Sequence, residues 1–286
     1  MLRNLRILRV ELKRAIVNWK FALSVFIGCV FAALAFVSTP GFTIAKNWVK
    51  YMNGDEAAAM VINKMNMVDT PLEIWMPRYG SSSAFYSLWI FLLPVLIAIP
   101  YSNVYLMETK NGLINQFTVR VSKKAYYFSK FFALFTSGGL IAVIPLIFNL
   151  MLVMCFLPWG IPIKASMLYP MVDGNMFSKL FYTKPALYVL IYMLYTFVLF
   201  GLLSCLSIAI DLYKKNRLVA ILIPFAVIVA EEVILTFGLG LERTSLRAAM
   251  NMYNLRIDTV VFIAVEFIIM AVVDIWFFLR PRKDVI

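Results

Sequence analysis

Six long apolar runs leave this chain few folds to choose from. They lie at about Ala15–Val37, Ala84–Met107, Ala125–Leu157, Pro185–Ile210, Leu218–Gly238 and Thr259–Leu279. Each is near the ~20 residues an α-helix needs to cross ~30 Å of hydrocarbon. The chain is 63% hydrophobic and 15% charged, with a mean hydropathy of +0.85, well outside the soluble range. The expected fold class is therefore all-α: one polytopic membrane domain over residues 1–286 with six transmembrane helices. The second run contains Pro94 and Pro100 and is expected to kink. The third is too long for a perpendicular span, so it should tilt or bend, with Gly138-Gly139 and Pro145 as the places. Pro185 suits the first turn of the fourth.

Ahead of the first run, residues 1–14 carry Arg3, Arg6, Arg9 and Lys13 on one helical face, with Leu5, Leu8, Leu12 and Ile16 opposite. This predicts an amphipathic helix in the headgroup region. A cleaved signal peptide fits less well, because the basic region is long, holds Glu11, and is followed by no clean small-residue cleavage site. If both termini lie on one side, that side receives 17 of the 27 Lys and Arg and the other 10. The positive-inside rule then predicts cytoplasmic termini. The loop 38–83 is the longest external segment, with helix-like pieces near 45–52 and 55–65 and exposed candidates Trp48, Tyr51 and Trp75. It is expected to form a folded cap over the bundle, with ligand binding as the competing role.

Between the second and third runs lies Glu108–Lys130, too charged for hydrocarbon: Lys110, Arg120, Lys123, Lys124 and Lys130 against Glu108. Its first half reads as a short helix with Leu113, Ile114 and Phe117 on one side. An acid, a Gly, an apolar pair, then Arg-x-Ser-x-Lys, an aromatic and Ser-Lys opening a membrane helix occur as Glu108, Gly112, Leu113, Arg120, Ser122, Lys124, Tyr127, Ser129 and Lys130. This pattern, with the six-helix layout, resembles type-2 ABC transporter permeases. The resemblance implies that 108–124 is a coupling segment contacting a separate ATPase subunit through Glu108, Lys110, Gly112, Leu113, Phe117 and Arg120. It further implies a second permease subunit, with ATP and Mg on the partner ATPase rather than in this chain, and a place in a bacterial plasma membrane.

The remaining chemistry is sparse. There is no histidine, which removes His-based acid–base catalysis, His ligands and Ser-His or Cys-His nucleophile pairs. Cys29, Cys155 and Cys205 fall in apolar runs and read as packing residues. No Gly-x-x-x-x-Gly-Lys-Ser/Thr motif occurs, so the chain lacks a P-loop, and it is not expected to be an enzyme. The formal charge of +12 is assigned to topology, without a nucleic-acid partner. Small residues Gly201, Ser204 and Ser207 on the fourth run suit close helix packing.

Four acids fall inside the runs: Glu231, Glu232, Glu266 and Asp274. Such groups need a partner, a cavity or water. Two readings stand for the first three: pairing with Arg243, Arg247 or Arg256 in the adjoining loop, or an acidic patch in a translocation pathway favouring cationic cargo. Asp274, near the cytoplasmic end, reads as hydrated or paired with Arg280. A Glu-Glu-x-x-x-Arg protease motif fails, since Thr236 occupies the Arg position and histidine is absent. The expected function is the transmembrane subunit of an ATP-driven exporter for amphipathic or hydrophobic cargo, such as an antimicrobial or bacteriocin-like peptide. The rivals are a non-transporting membrane sensor or scaffold and an ion-coupled carrier.

Overall fold

The computed structural model describes residues 2–38, 46–47, 49–54, 70–77, 84–102, 104, 107–108, 111, 123–162, 171, 173–211, 216–241, 245–250 and 260–279. Among them the architecture is helical and no strand occurs. Helices α1 (Leu2–Ile16) and α2 (Trp19–Ser38) are followed by a short 3₁₀ turn at Pro71–Glu73 and by α3 (Ala84–Ala98). Then come α4 (Lys123–Met154), α5 (Ser178–Thr183), α6 (Pro185–Asp211), α7 (Arg217–Glu232), α8 (Leu246–Ala249) and α9 (Val260–Leu279). A π-helical turn, Val233–Gly238, extends α7.

Among the described residues, four helices are long and apolar enough to cross a membrane: Trp19–Ser38, Ala125–Met154, Pro185–Ser207 and Arg217–Gly238. The packing of α2 shows the solvent they suit. Its inward face is mostly small, with Ser24, Gly28, Ala32 and Ala35 buried, while Leu23, Phe26, Leu34 and Val37 face outward. Large apolar side chains outside and small ones inside is the pattern helices adopt in lipid, where close backbone approach holds the bundle together.

The first span does not start at Ala15 as the sequence suggested. Helix α1 runs on to Ile16, and Asn18 separates it from α2. The Asn18 carboxamide donates to the Arg14 and Ala15 carbonyls, both at 2.8 Å, and accepts from the Phe21 N–H at 2.8 Å. One side chain thus closes one helix and opens the next. The second helix also stops short, at Ala98 rather than Met107. Pro100 has no N–H to donate and disfavours helix at the residue before it.

Helix α4 is the hub, packing on α1, α2, α3, α6 and α9. It runs unbroken through Gly138-Gly139 and Pro145. The glycine pair serves contact instead of bending. A Cβ on Gly138 would lie 2.5 Å from Ser204 Cβ, and one on Gly139 would lie 2.7 Å from the Phe197 carbonyl, so α4 and α6 touch nearly backbone to backbone. Ser204 adds a hydrogen bond to the Leu134 carbonyl at 2.9 Å.

The first long loop sends a segment into this bundle. Residues 70–77 are all buried. Trp75, expected to be exposed, is fully buried; its indole N–H donates to the Leu146 carbonyl at 3.0 Å and its ring lies edge-on to Tyr192. The Met76 N–H donates to Asn149 Oδ1 at 2.9 Å, and Asn149 Nδ2 donates to the Ala32 carbonyl at 2.9 Å. Asn149 therefore ties the inserted segment, α4 and α2 together. Tyr51 is partly exposed, as expected, whereas Trp48 and residues 55–65 lie outside the described residues.

Candidate functional site

Among the described residues, the most highly charged buried cluster lies where α1, Tyr101, Glu108 and the first turns of α4 meet. On α1, Glu11, Arg14 and Ala15 fall on one face by three- and four-residue spacing, and Glu11 and Ala15 are buried against α4. On α4, Tyr126 and Lys130 are one turn apart and both buried. Arg6, Arg9 and Lys13 stay exposed on the outer side of α1.

Two carboxylates and two cations alternate within this cluster. Arg14 Nη1 lies 2.7 Å from Glu108 Oε1 and 3.4 Å from Glu11 Oε1. Lys130 Nζ lies 2.9 Å from Glu108 Oε2 and 3.6 Å from Glu11 Oε2. The Tyr101 hydroxyl donates to Glu11 and the Tyr126 hydroxyl to Glu108. The Lys130 ammonium also sits 4.9 Å from the Tyr126 ring centre and 5.5 Å from that of Tyr101. Each buried charge therefore meets an opposite charge and a further polar or aromatic group, the condition under which ion pairs tolerate burial.

Burial by itself would raise the Glu108 carboxyl, but the Lys130 ammonium, the Tyr126 hydroxyl and Arg14 outweigh it and hold the group below the ordinary carboxylate range. For Arg14, burial opposes the charge, while Glu11 and Glu108 strengthen it. With two carboxyl and two basic side chains in mutual contact, the cluster is a clasp that ties α1 to Glu108 and to the first turns of α4.

Of the residues expected to form a coupling surface, Glu108 is in this clasp. Lys110, Gly112, Leu113, Phe117 and Arg120 lie outside the described residues. Sequence reading singled out Glu108 and Lys130 but missed Glu11, Arg14, Tyr101 and Tyr126 as their partners. The signal present was an acid beside an apolar small residue on the inward face of α1, and a tyrosine one turn before a lysine at the start of α4.

The intramembrane acids fall into two other places. Glu231 accepts the Leu246 N–H with both oxygens, at 3.0 and 3.1 Å, capping α8. Glu232 pairs with Arg247 at 2.7 Å, the pairing that one sequence reading anticipated, while Arg243 and Arg256 lie outside the described residues. Asp274 is fully buried, and neither oxygen has a hydrogen-bond partner among the described residues; Arg280 is outside them. The three cysteines are free, and no cluster with metal-ligand spacing occurs among the described residues.

No family model, curated protein or solved structure matches the chain. The fold and site define a helical membrane protein with a buried charge clasp at one end of its bundle.

Proposed function

We propose that this chain is the transmembrane subunit of an ATP-driven exporter of the type-2 ABC class, in a bacterial plasma membrane. The unit would comprise six spans, cytoplasmic termini, a second permease subunit and separate ATPase subunits carrying ATP and Mg. The observation that supports it most directly is the Glu11–Arg14–Glu108–Lys130 clasp. Glu108 heads the segment whose Lys110, Gly112, Leu113, Phe117 and Arg120 would meet the ATPase, and Lys130 opens the helix on which the bundle packs. Movement at the segment would thus be delivered both to α4 and to the surface helix α1. Glu231, Glu232 and Glu266 would border the pathway, which favours a cationic amphipathic peptide as cargo.

Gentle-detergent purification of the tagged chain from its native cells tests the partner: a stoichiometric P-loop ATPase is expected. In the reconstituted complex, Gly112→Pro should uncouple ATP hydrolysis from cargo movement. Unchanged coupling, or purification of an intact, monodisperse protein without an ATPase, would overturn the proposal. Glu108→Lys is a poor probe, because it would place a third cation in the clasp.

A second reading, an ion-coupled carrier, draws support from Asp274, a buried carboxyl of the kind that serves proton relays. It predicts uptake driven by an ion gradient in ATP-free vesicles and lost in Asp274→Asn.

A further inference from the structure

Helix α1 meets the bundle in step with the helix that follows it. Glu11 lies 3.6 Å from Lys130, and Ala15 packs with Ala133 and Leu134. Further along, a Cβ on Gly28 would lie 2.5 Å from Pro145, and the Ala32 carbonyl accepts from Asn149. Both α1 and α2 therefore follow α4 in the same order, with Val17 and Asn18 between them. Glu11 and Ala15 are buried there and Ile16 packs on the core. That side of α1 is turned to protein, not to acyl chains.

What α1 keeps facing outward is cationic. Arg6, Arg9 and Lys13 are exposed at spacings of three and four, which puts them on one stripe, and Val10 and Val17 are exposed beside them. Trp19 then opens the apolar α2 and is 71% exposed. A tryptophan at the end of a span sits at headgroup level, so Trp19 marks the depth. At 1.5 Å per residue, Lys13, Arg9 and Arg6 lie about 9, 15 and 20 Å from it along the helix. The headgroup layer is about 5–8 Å deep, and its field reaches roughly another 10 Å at 0.1 M salt. Even with α1 upright, Lys13 and Arg9 fall within that reach and Arg6 extends to its rim.

We propose that this outer face of α1 is a docking surface for the anionic phospholipid headgroups of the leaflet beside it, with Arg6, Arg9 and Lys13 meeting the phosphates and Trp19 fixing their depth. Charge complementarity selects this occupant, since each Lys or Arg near an anionic membrane surface strengthens attachment by about fivefold and a zwitterionic surface gives no such gain. An acidic protein would attract the same charges, but the stripe leads directly to an exposed tryptophan at the start of a span, which favours lipid. Because α1 also carries Glu11 and Arg14, lipid held on its outer face steadies the α1 side of the clasp. The surface does not rest on the exporter reading and would serve equally in a carrier or a sensor.

Photo-crosslinking of the full chain tests this, in nanodiscs holding phosphatidylglycerol and phosphatidylcholine in equal amounts. One lipid at a time carries a diazirine next to its headgroup, and crosslinks to residues 1–20 are read by mass spectrometry. Wild type should favour phosphatidylglycerol by at least about fivefold, the gain from a single cation near the surface. The preference should fall towards parity at about 1 M salt, where the screening length is about 3 Å. The triple variant Arg6→Gln, Arg9→Gln, Lys13→Gln should lose it. A control, Lys46→Gln with Lys50→Gln, alters exposed cations beyond the other end of α2 and should keep it. Parity in wild type, which would hand the face to a soluble acidic partner, or a preference that survives the triple variant, would overturn the proposal. So would an equal loss in the control. Should the triple variant fail to fold, Arg9→Gln alone carries the test, and an undiminished preference there is equally fatal.

Discussion

Replacing Lys130 with Met tests whether the charge clasp holds the protein together. The ammonium lies 2.9 Å from Glu108 and 3.6 Å from Glu11, and both carboxylates are about 2% exposed. Without it, Arg14 is left facing two buried carboxylates, and its own side chain is 43% exposed. Removing one partner of a buried ion pair costs about 3–5 kcal/mol, because the charge left behind is desolvated and uncompensated. At about 2–4 °C per kcal/mol for a chain of roughly this size, the melting temperature should fall by roughly 6–20 °C. Thermal unfolding in nanodiscs, followed by tryptophan emission, reads this directly.

The decisive comparison is Lys130→Met combined with Glu108→Gln. That variant removes one charge of each sign and leaves Glu11 with Arg14, so it should melt well above the sum of the single losses. The coupling between the two sites should be on the order of 1–3 kcal/mol, the range for residues in one ionic network. A Lys130→Met protein melting within about 2 °C of wild type, or a double variant showing strictly additive losses, would refute the argument.

Three further outcomes follow from the packing and the electrostatics. Asn149→Leu should cost about 1–3 kcal/mol, because it leaves the buried Met76 N–H unpaired and also removes the side-chain bond to the Ala32 carbonyl, measured as a lower melting temperature. Gly139→Leu should prevent the close approach of α4 and α6, since even a Cβ would meet the Phe197 carbonyl at 2.7 Å; a destabilisation of about 1–3 kcal/mol or more is expected, and normal melting would exclude so tight a contact. The Glu108 carboxyl is held below its ordinary value of 4.5, so its stabilisation is present above that pH and is lost as pH falls through the depressed folded value. The melting advantage of wild type over Glu108→Gln should therefore shrink as pH drops below about 4.5, and an advantage that grew with acid would contradict the sign.

The residues of the clasp show how far sequence reading reaches. Glu108 and Lys130 stood out because a charged stretch between two apolar runs is conspicuous. Their partners did not, because Arg14 and Glu108 are 94 residues apart and Tyr101 and Glu11 are 90 apart. Glu11 looked like a stray acid on a basic surface helix until α1 was seen packed on α4. Trp75 misled in the opposite direction: a tryptophan in a polar loop reads as exposed, and only its hydrogen bond to Leu146 reveals the insertion. Gly138-Gly139 was legible as special, but its role as a contact surface with α6 rather than a bend depended on the facing residues.

The sequence by itself determined the helical class, the apolar segments and the basic, amphipathic start, because hydrophobic length and helical periodicity are properties of contiguous residues. Tertiary structure alone decided where α1 ends and α2 begins to pack, that residues 70–77 enter the bundle, and which acids face cations and which face a backbone N–H. Those outcomes depend on which helix faces lie side by side. A buried charge or carboxyl takes its energy, and its chemistry, from neighbours the chain brings in from tens of residues away.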